Sequence, residues 1–235
     1  FKRMVLLTIF VLKCKGGGCY LVFEDEDLVC KECLGKIADV RYYNRCRSKC
    51  QQCGRVLDHY YERCGQCILQ SPPYRKHLSY SHYEDPLREL ILKYKYKGAE
   101  KLKNLFADYY TELFKEEVNE SFDYIIPVPP DPGRQKKREF APILEIAKIL
   151  SRRLEIPLLP DNLIKIKETQ QQVKLTRAER LKNLDGAFKL RNPGQLKEKK
   201  VLLIDDVYTT GTTIHQCTRL LIEPEAEVVV LTLAR

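Results

Sequence analysis

From residue 86 onward the apolar positions alternate between two periods. Behind Pro86, Leu87, Leu90, Ile91 and Tyr94 keep helical spacing up to a stop at Gly98. Leu102, Leu105, Phe106, Tyr109, Leu113 and Phe114 continue that period in a second helix. Residues 122–129 (Phe-Asp-Tyr-Ile-Ile-Pro-Val-Pro) then read as a buried strand ended by prolines, followed by a helix over about 140–154. Residues 200–205 and 226–233 are β-branched runs flanking a helix over about 213–222, the pattern of a parallel α/β sheet. Upstream the pattern changes. Ser71-Pro72-Pro73 interrupts local structure, and residues 74–83 form an aromatic-rich connector or strand. The expected division is a cysteine-rich module over 1–72 and an α/β domain over 73–235.

The 235 residues are 44% hydrophobic and 31% charged with 11 Gly and 12 Pro, which excludes collagenous, low-complexity and wholly disordered classes. The longest apolar run, Met4 to Leu12, is interrupted by Thr8 and followed by Lys13, far short of the ~20 residues of a membrane span. Lys2 and Arg3 precede it as in a secretory signal, but no small-residue cleavage site follows, and Lys13 before Cys14 argues against lipid attachment. A cytoplasmic protein is expected.

Nine of the ten cysteines lie in the first 67 residues. In a reducing compartment such clusters are metal ligands rather than disulfides, because tetrahedral zinc accepts four thiolates. Cys50-x2-Cys53, ten residues, and Cys64-x2-Cys67 form a pair of zinc knuckles at close to zinc-ribbon separation. Cys14-x4-Cys19, ten residues, and Cys30-x2-Cys33 repeat the plan, with Gly16 to Gly18 freeing the looser turn. Two structural zinc sites are expected, although spacing alone leaves an interleaved grouping of the eight open. Cys46 and Cys217 read as core residues, and His59 as a surface or packing residue.

The formal charge is 41 − 32 = +9. Each four-thiolate zinc site is net −2, so two sites bring +9 to +5. Residues 1–79 hold 14 basic against 8 acidic residues and residues 80–235 hold 27 against 24, concentrating the excess in the cysteine-rich part. That is compatible with a weak polyanion preference and equally with a solvated basic face.

The most informative segment is Val201-Leu-Leu-Ile-Asp205-Asp206-Val207-Tyr208-Thr209-Thr210-Gly211-Thr212-Thr213. A doubly buried strand delivers two carboxylates to its carboxyl end, where open α/β sheets bind ligands. The following loop offers backbone N–H groups, Thr hydroxyls and a helix N-terminus to a phosphate. Carboxylates cannot face that phosphate, so they require hydroxyl donors or a metal. The ligand this chemistry selects is a phosphorylated sugar.

The thirteen positions 201–213 resemble the type I phosphoribosyltransferase signature for 5-phosphoribosyl 1-pyrophosphate (PRPP). The cysteine pairs ahead of it resemble the ComF competence-protein family, together with Lys95-Tyr-Lys-Gly98, Pro127-Val-Pro129, Ala187-Phe188, and Gln172, Leu175, Arg177, Glu179, Arg180 and Asn183. The resemblance covers nearly the whole chain. It implies a type I phosphoribosyltransferase-like parallel sheet flanked by helices behind a small zinc-binding module, PRPP binding with Mg2+, and an association with DNA uptake.

Carried over by residue, Asp205 and Asp206 would contact the ribose hydroxyls directly or through metal, and Val207, Tyr208, Thr209, Thr210, Gly211, Thr212 and Thr213 would wrap the 5′-phosphate. Val128, Pro129 and the segment to Arg134 match the pyrophosphate loop. Lys174, Arg177 and Arg180 match a flap whose cations would neutralise the leaving pyrophosphate. Two departures stand out. The family's Arg-Gly-Phe-Asn-Gln is Arg138-Glu139-Phe140-Ala141-Pro142 here, keeping only Arg and Phe. Where purine-salvage enzymes of the fold carry an Asp general base, this chain has Thr209, which speaks against a 6-oxopurine acceptor. Three roles follow: transfer of phosphoribose to an unknown acceptor, sensing of PRPP without turnover, or handling of single-stranded DNA or a competence helicase by the zinc units.

Overall fold

The computed structural model describes residues 12–13, 20–21, 29–45, 47–135, 141–167 and 186–235; for 12–13, 20–21, 43–44 and 134–135 it describes the backbone alone. In chain order, β1 (Leu12–Lys13) pairs antiparallel with β2 (Tyr20–Leu21), followed by α1 (Lys31–Arg45), α2 (Gly65–Leu69) and β3 (Lys76–Ser81). Then come α3 (Leu87–Tyr96), α4 (Leu102–Glu117), β4 (Tyr124–Pro127), α5 (Pro132–Gln135) and α6 (Pro142–Leu154). A short antiparallel pair, β5 (Leu163–Lys165) and β6 (Phe188–Leu190), precedes β7 (Lys200–Val207), α7 (Thr212–Ile222) and β8 (Glu227–Ala234). Among the described residues, no helix is long and apolar enough to cross a membrane.

The main sheet is parallel throughout, in the order β3-β8-β7-β4, and Leu158 adds one more parallel bridge beyond β4 at Ile125. Within the aromatic stretch 74–83, Lys76–Ser81 is therefore a strand, and it forms one edge of this sheet. Side-chain alternation sorts two cores. Leu202, Ile204, Val229, Leu231 and Ile125 face the layer of α3, α4 and α6, whereas Val201, Leu203, Val228, Val230 and Ile126 face α7 and the β5–β6 pair. Both faces are covered, so the strands read as continuous apolar runs rather than alternating ones. Cys217 is fully buried in the second layer, as its sequence pattern predicts.

The helix α1 had no counterpart in the sequence reading. Among its described side chains the buried ones are the narrow stripe Cys33, Ile37 and Arg41, one residue per turn, and one of the three is charged. Arg41 lies 4.1 Å over the Tyr80 ring and donates to Glu112 and Glu116 of α4, while Tyr80 donates from its hydroxyl to Glu112 at 3.0 Å. A sequence pattern that scores apolar side chains cannot register a stripe completed by an arginine.

Candidate functional site

The loop between β7 and α7 leaves the carboxyl end of the sheet between its two central strands. Gly211 sits in the left-handed region at φ 77°, and a Cβ built there would overlap the hydroxyl and ring of Tyr208. Only glycine closes this turn into the helix start. Thr209 is exposed and Thr210 half-buried, its hydroxyl 2.9 Å from that of Thr212. The first turn of an α-helix leaves its N–H groups without intrahelical partners, and α7 starts here at Thr212.

Tyr208 behaves differently from its neighbours. Its N–H is bonded to the Ala234 carbonyl at 2.8 Å, and its buried side chain points beneath the loop. There its hydroxyl meets that of Tyr74 at 2.8 Å, its ring stacks on His77 at 4.3 Å, and the Arg235 guanidinium lies 4.6 Å over it. Tyr208 supports the loop from below rather than presenting a donor to a phosphate.

Asp205 and Asp206 are half-buried at the end of β7. Burial, then the neighbouring Asp206 carboxylate, pushes Asp205 up to about 8, against the pull of Lys95 and of the Asp206 amide, which donates to it at 2.9 Å. Lys95 of α3 reaches across to Asp206 with a separation of 2.6 Å. Burial works against the Lys95 charge, but Asp206 and Asp205 outweigh it and raise its pKa. Beneath, the Tyr110 hydroxyl donates to the Asp205 carbonyl. Lys95 is thus the cation of the acidic pair, a role no spacing rule could supply because α3 lies about a hundred residues upstream.

Val128 extends the β4 ladder, its N–H on the Ile204 carbonyl at 2.9 Å, and Pro129 follows half-exposed. The backbone of Arg134 lies in α5. Asp131 accepts from the Gly133 N–H at 3.1 Å and pairs with Lys165 of β5 at 2.7 Å, an ion pair that anchors this segment beside β7. Lys174, Arg177, Arg180 and, of the departures, Glu139 lie outside the described residues, whereas Ala141 caps α6 and Pro142 is buried in its first turn.

Cys50, Cys53, Cys64 and Cys67 are all buried, and their sulfurs lie within 4.8 Å of one another, Cys53 to Cys64 at 3.7 Å. Tetrahedral zinc with bonds near 2.3 Å sets its sulfurs about 3.8 Å apart, so the four fit the ion. The first knuckle is a tight turn: Gly54 takes φ 69°, its N–H bonds to the Cys50 carbonyl at 2.9 Å, and the Cys50 N–H bonds to Arg55 O at 2.8 Å. Burial pushes the Cys53 and Cys67 thiols up, whereas backbone donors from Cys53, Cys64 and Gln52 overcome burial at Cys50 and bring it to about 7. Four thiolates in this space need a divalent cation to balance them. The expected second set is only half described: Cys30 is partly buried and Cys33 buried against the main core, and Cys14 and Cys19 lie outside the described residues, as does Cys46. His59 is exposed.

The cysteine module docks on the sheet directly under the loop. The His77 N–H bonds to the Gln52 carbonyl at 2.8 Å, its Nδ1 sits 3.0 Å from the Cys53 carbonyl and its Nε2 2.9 Å from the Thr232 hydroxyl. Arg235 donates to the Cys53 carbonyl and lies 3.6 Å from the Cys53 sulfur. Residues of the knuckle, the sheet edge and the chain end thus converge on Tyr208.

A parallel sheet with an acidic pair and a Gly-Thr loop at the carboxyl end of a central strand defines a phosphoribosyltransferase-type domain. The model of the phosphoribosyl transferase domain family matches residues 144–234. The chain is similar to Competence protein F of Haemophilus influenzae, 30% identical over 198 residues covering 82% of this chain and 83% of that protein. It is also similar to Competence protein ComFC of Bacillus subtilis, 26% identical over 208 residues (86% and 81%). A third relative is DNA utilization protein YhgH of Escherichia coli, 28% identical over 191 residues (78% and 82%). The chain belongs to the ComF family of competence proteins.

Proposed function

We propose that this chain binds PRPP with Mg2+ on the loop from Val207 to Thr213, with Asp205 and Asp206 receiving the ribose hydroxyls, and transfers the phosphoribosyl group to an acceptor. The reading extends to a protein working in the cytoplasm in DNA uptake or utilisation, in keeping with the names of its relatives. It divides the chain into a zinc-binding module over 1–72 and a phosphoribosyltransferase-like domain over 73–235. The observation that carries it is the juxtaposition at the end of β7: two carboxylates, one neutralised by Lys95, beside an exposed threonine loop that turns through Gly211 into a helix N-terminus.

In this arrangement the loop amides and the hydroxyls of Thr209 and Thr210 bind the 5′-phosphate, and Asp206 orients the sugar while Lys95 keeps the acidic pair from repelling the anionic ligand. Bound Mg2+ would supply charge neutralisation of the departing pyrophosphate. Arg177 and Arg180 are proposed to add cationic groups there. Calorimetric titration with Mg2+ and PRPP tests the reading. Saturable binding that Asp205→Asn/Asp206→Asn abolishes, with zinc content retained, is the expected result, and no heat of binding overturns it. Release of pyrophosphate on adding an acceptor separates a transferase from a sensor.

A second role for the zinc module is favoured by its surface. Tyr60 is 88% and Leu69 89% exposed, beside exposed Tyr61, Ile68, Arg55 and Arg63. Exposed rings with Arg55 and Arg63 are elements of a single-strand stacking surface, with Asp58 and Glu62 exposed in the same stretch. Affinity for a thymidine oligomer that falls steeply with salt is the expected behaviour.

A further inference from the structure

A cleft of about 420 Å³ opens between the first knuckle and the carboxyl ends of β3 and β8. The knuckle contributes Lys49 and Arg55 to one wall. His82 and Tyr83 beyond β3, Arg235 beyond β8 and Thr209 of the phosphate loop form the other. Not one of the residues lining it is an Asp or a Glu, while Lys49, Arg55 and Arg235 are cations. Arg235 is held in place by the Cys53 carbonyl, and Arg55 donates to Gln66 at 3.0 Å. The field is visible at His82: burial lowers its pKa, Glu84 opposes this, and Lys49, Arg235 and Arg47 lower it further. Asp206 of the acidic pair is matched elsewhere, by Lys95.

We propose that this cleft is the acceptor subsite and takes a small anionic heteroaromatic ring, a pyridine carboxylate by class. The inference rests on the reading of the loop as a PRPP site, because Thr209 belongs to both the loop and the cleft and makes the two compartments neighbours. The volume suits one substituted ring. The cationic lining favours a carboxylate and rejects an amine. Among the described residues no Asp or Glu side chain lines the cleft to serve as general base, which a pyridine-type nitrogen does not require. Its lone pair forms the bond to ribose C1, the C1–O bond to pyrophosphate breaks with its electron pair leaving on the pyrophosphate, and no proton is transferred. The product is a pyridinium nucleotide.

The test titrates the full zinc-loaded chain with nicotinate, with its neutral counterpart nicotinamide and with cationic 3-aminomethylpyridine, followed by ligand-observed NMR without any sugar phosphate. Nicotinate is expected to bind about tenfold more tightly than nicotinamide, the size of one charge-assisted contact, with the amine weakest. Arg55→Ala and His82→Ala, each with zinc content retained, are expected to narrow that preference several-fold. Equal binding of acid and amide, or a preference untouched by both variants, overturns the proposal. So does a thymidine oligomer that displaces nicotinate stoichiometrically while acid and amide bind alike, since the cations would then serve a strand. Ribose 5-phosphate is titrated separately. If it fails to bind while the acid preference holds, the loop reading falls and the cleft remains an anion site; if it binds and the preference is absent, only the cleft proposal falls.

Discussion

In the sheet, burial is shared among dozens of side chains: Leu202 and Ile204 enter one layer, Val201 and Leu203 the other, and each removes only part of the apolar surface. In the knuckle, the buried cluster is four cysteines with Leu57 packed at its side. A structure held by distributed burial loses stability in increments, whereas four ligands around one cation succeed or fail together. The two regions meet at Tyr208, His77 and Arg235, so a change on one side reaches the other through a few named contacts.

The sharpest break in the comparison is Cys53→Ser. Structural zinc contributes apparent binding energies on the order of 10–16 kcal/mol in small domains, and three thiolates with a hydroxyl forfeit most of that. Zinc by elemental analysis is expected to fall by one atom per chain, and amide exchange over 49–70 to become fast while β7 and β8 stay protected. Protection retained in the knuckle without metal would refute the coordination argument. On the sheet side the largest expected loss is Gly211→Ala, which combines a left-handed φ with overlap on Tyr208. The expected cost is about 2–4 kcal/mol in urea unfolding. Tyr208→Leu in the same chain is expected to recover part of it, because the overlap is with a side chain rather than with backbone.

How much of this was legible in the sequence follows the same division. The knuckle needs only local spacing, so Cys50 to Cys67 announced itself, and so did β7 and α7, whose apolar run and Gly-Thr loop are contiguous. The contacts that complete the site are not local. Lys95 joins Asp206 from α3, and Lys165 joins Asp131 from β5, across separations that no periodicity encodes. Lys95 stood out only as part of a family motif, without a role. Tyr208 shows the same limit: the linear motif places it among phosphate-binding positions, and in the fold its N–H and side chain are drawn to Ala234, Tyr74 and His77, which lie far away in sequence.

Lys95→Met tests the first of those long-range contacts. Removing one partner of a buried pair leaves an uncompensated charge and costs about 3–5 kcal/mol, but here both side chains are about a fifth exposed. Solvent screening reduces the expected loss to about 1–2 kcal/mol. Adding Asp206→Asn should be cheaper in the Lys95→Met chain than in the wild type, because the stranded carboxylate is already a liability. Additive costs in the double-mutant cycle would show that the pair is not coupled.

The effect most specific to the acidic pair is in the pH dependence of stability. In the unfolded chain Asp205 titrates near the ordinary carboxylate value of about 3.9, whereas in the fold burial and Asp206 push it up to about 8. The folded state therefore holds a proton that the unfolded state has already released. That proton favours the fold fully below about pH 4, and the benefit drains away as pH rises, ending once the folded carboxyl ionises near pH 8. Asp205→Asn removes this titration and leaves the other groups in place. Urea unfolding from pH 4 to 9 is expected to show the variant gaining on the wild type through that window and running parallel to it above. Curves that stay parallel from pH 4 would mean that Asp205 is ionised in the fold, and with it that Lys95 compensates both carboxylates rather than one.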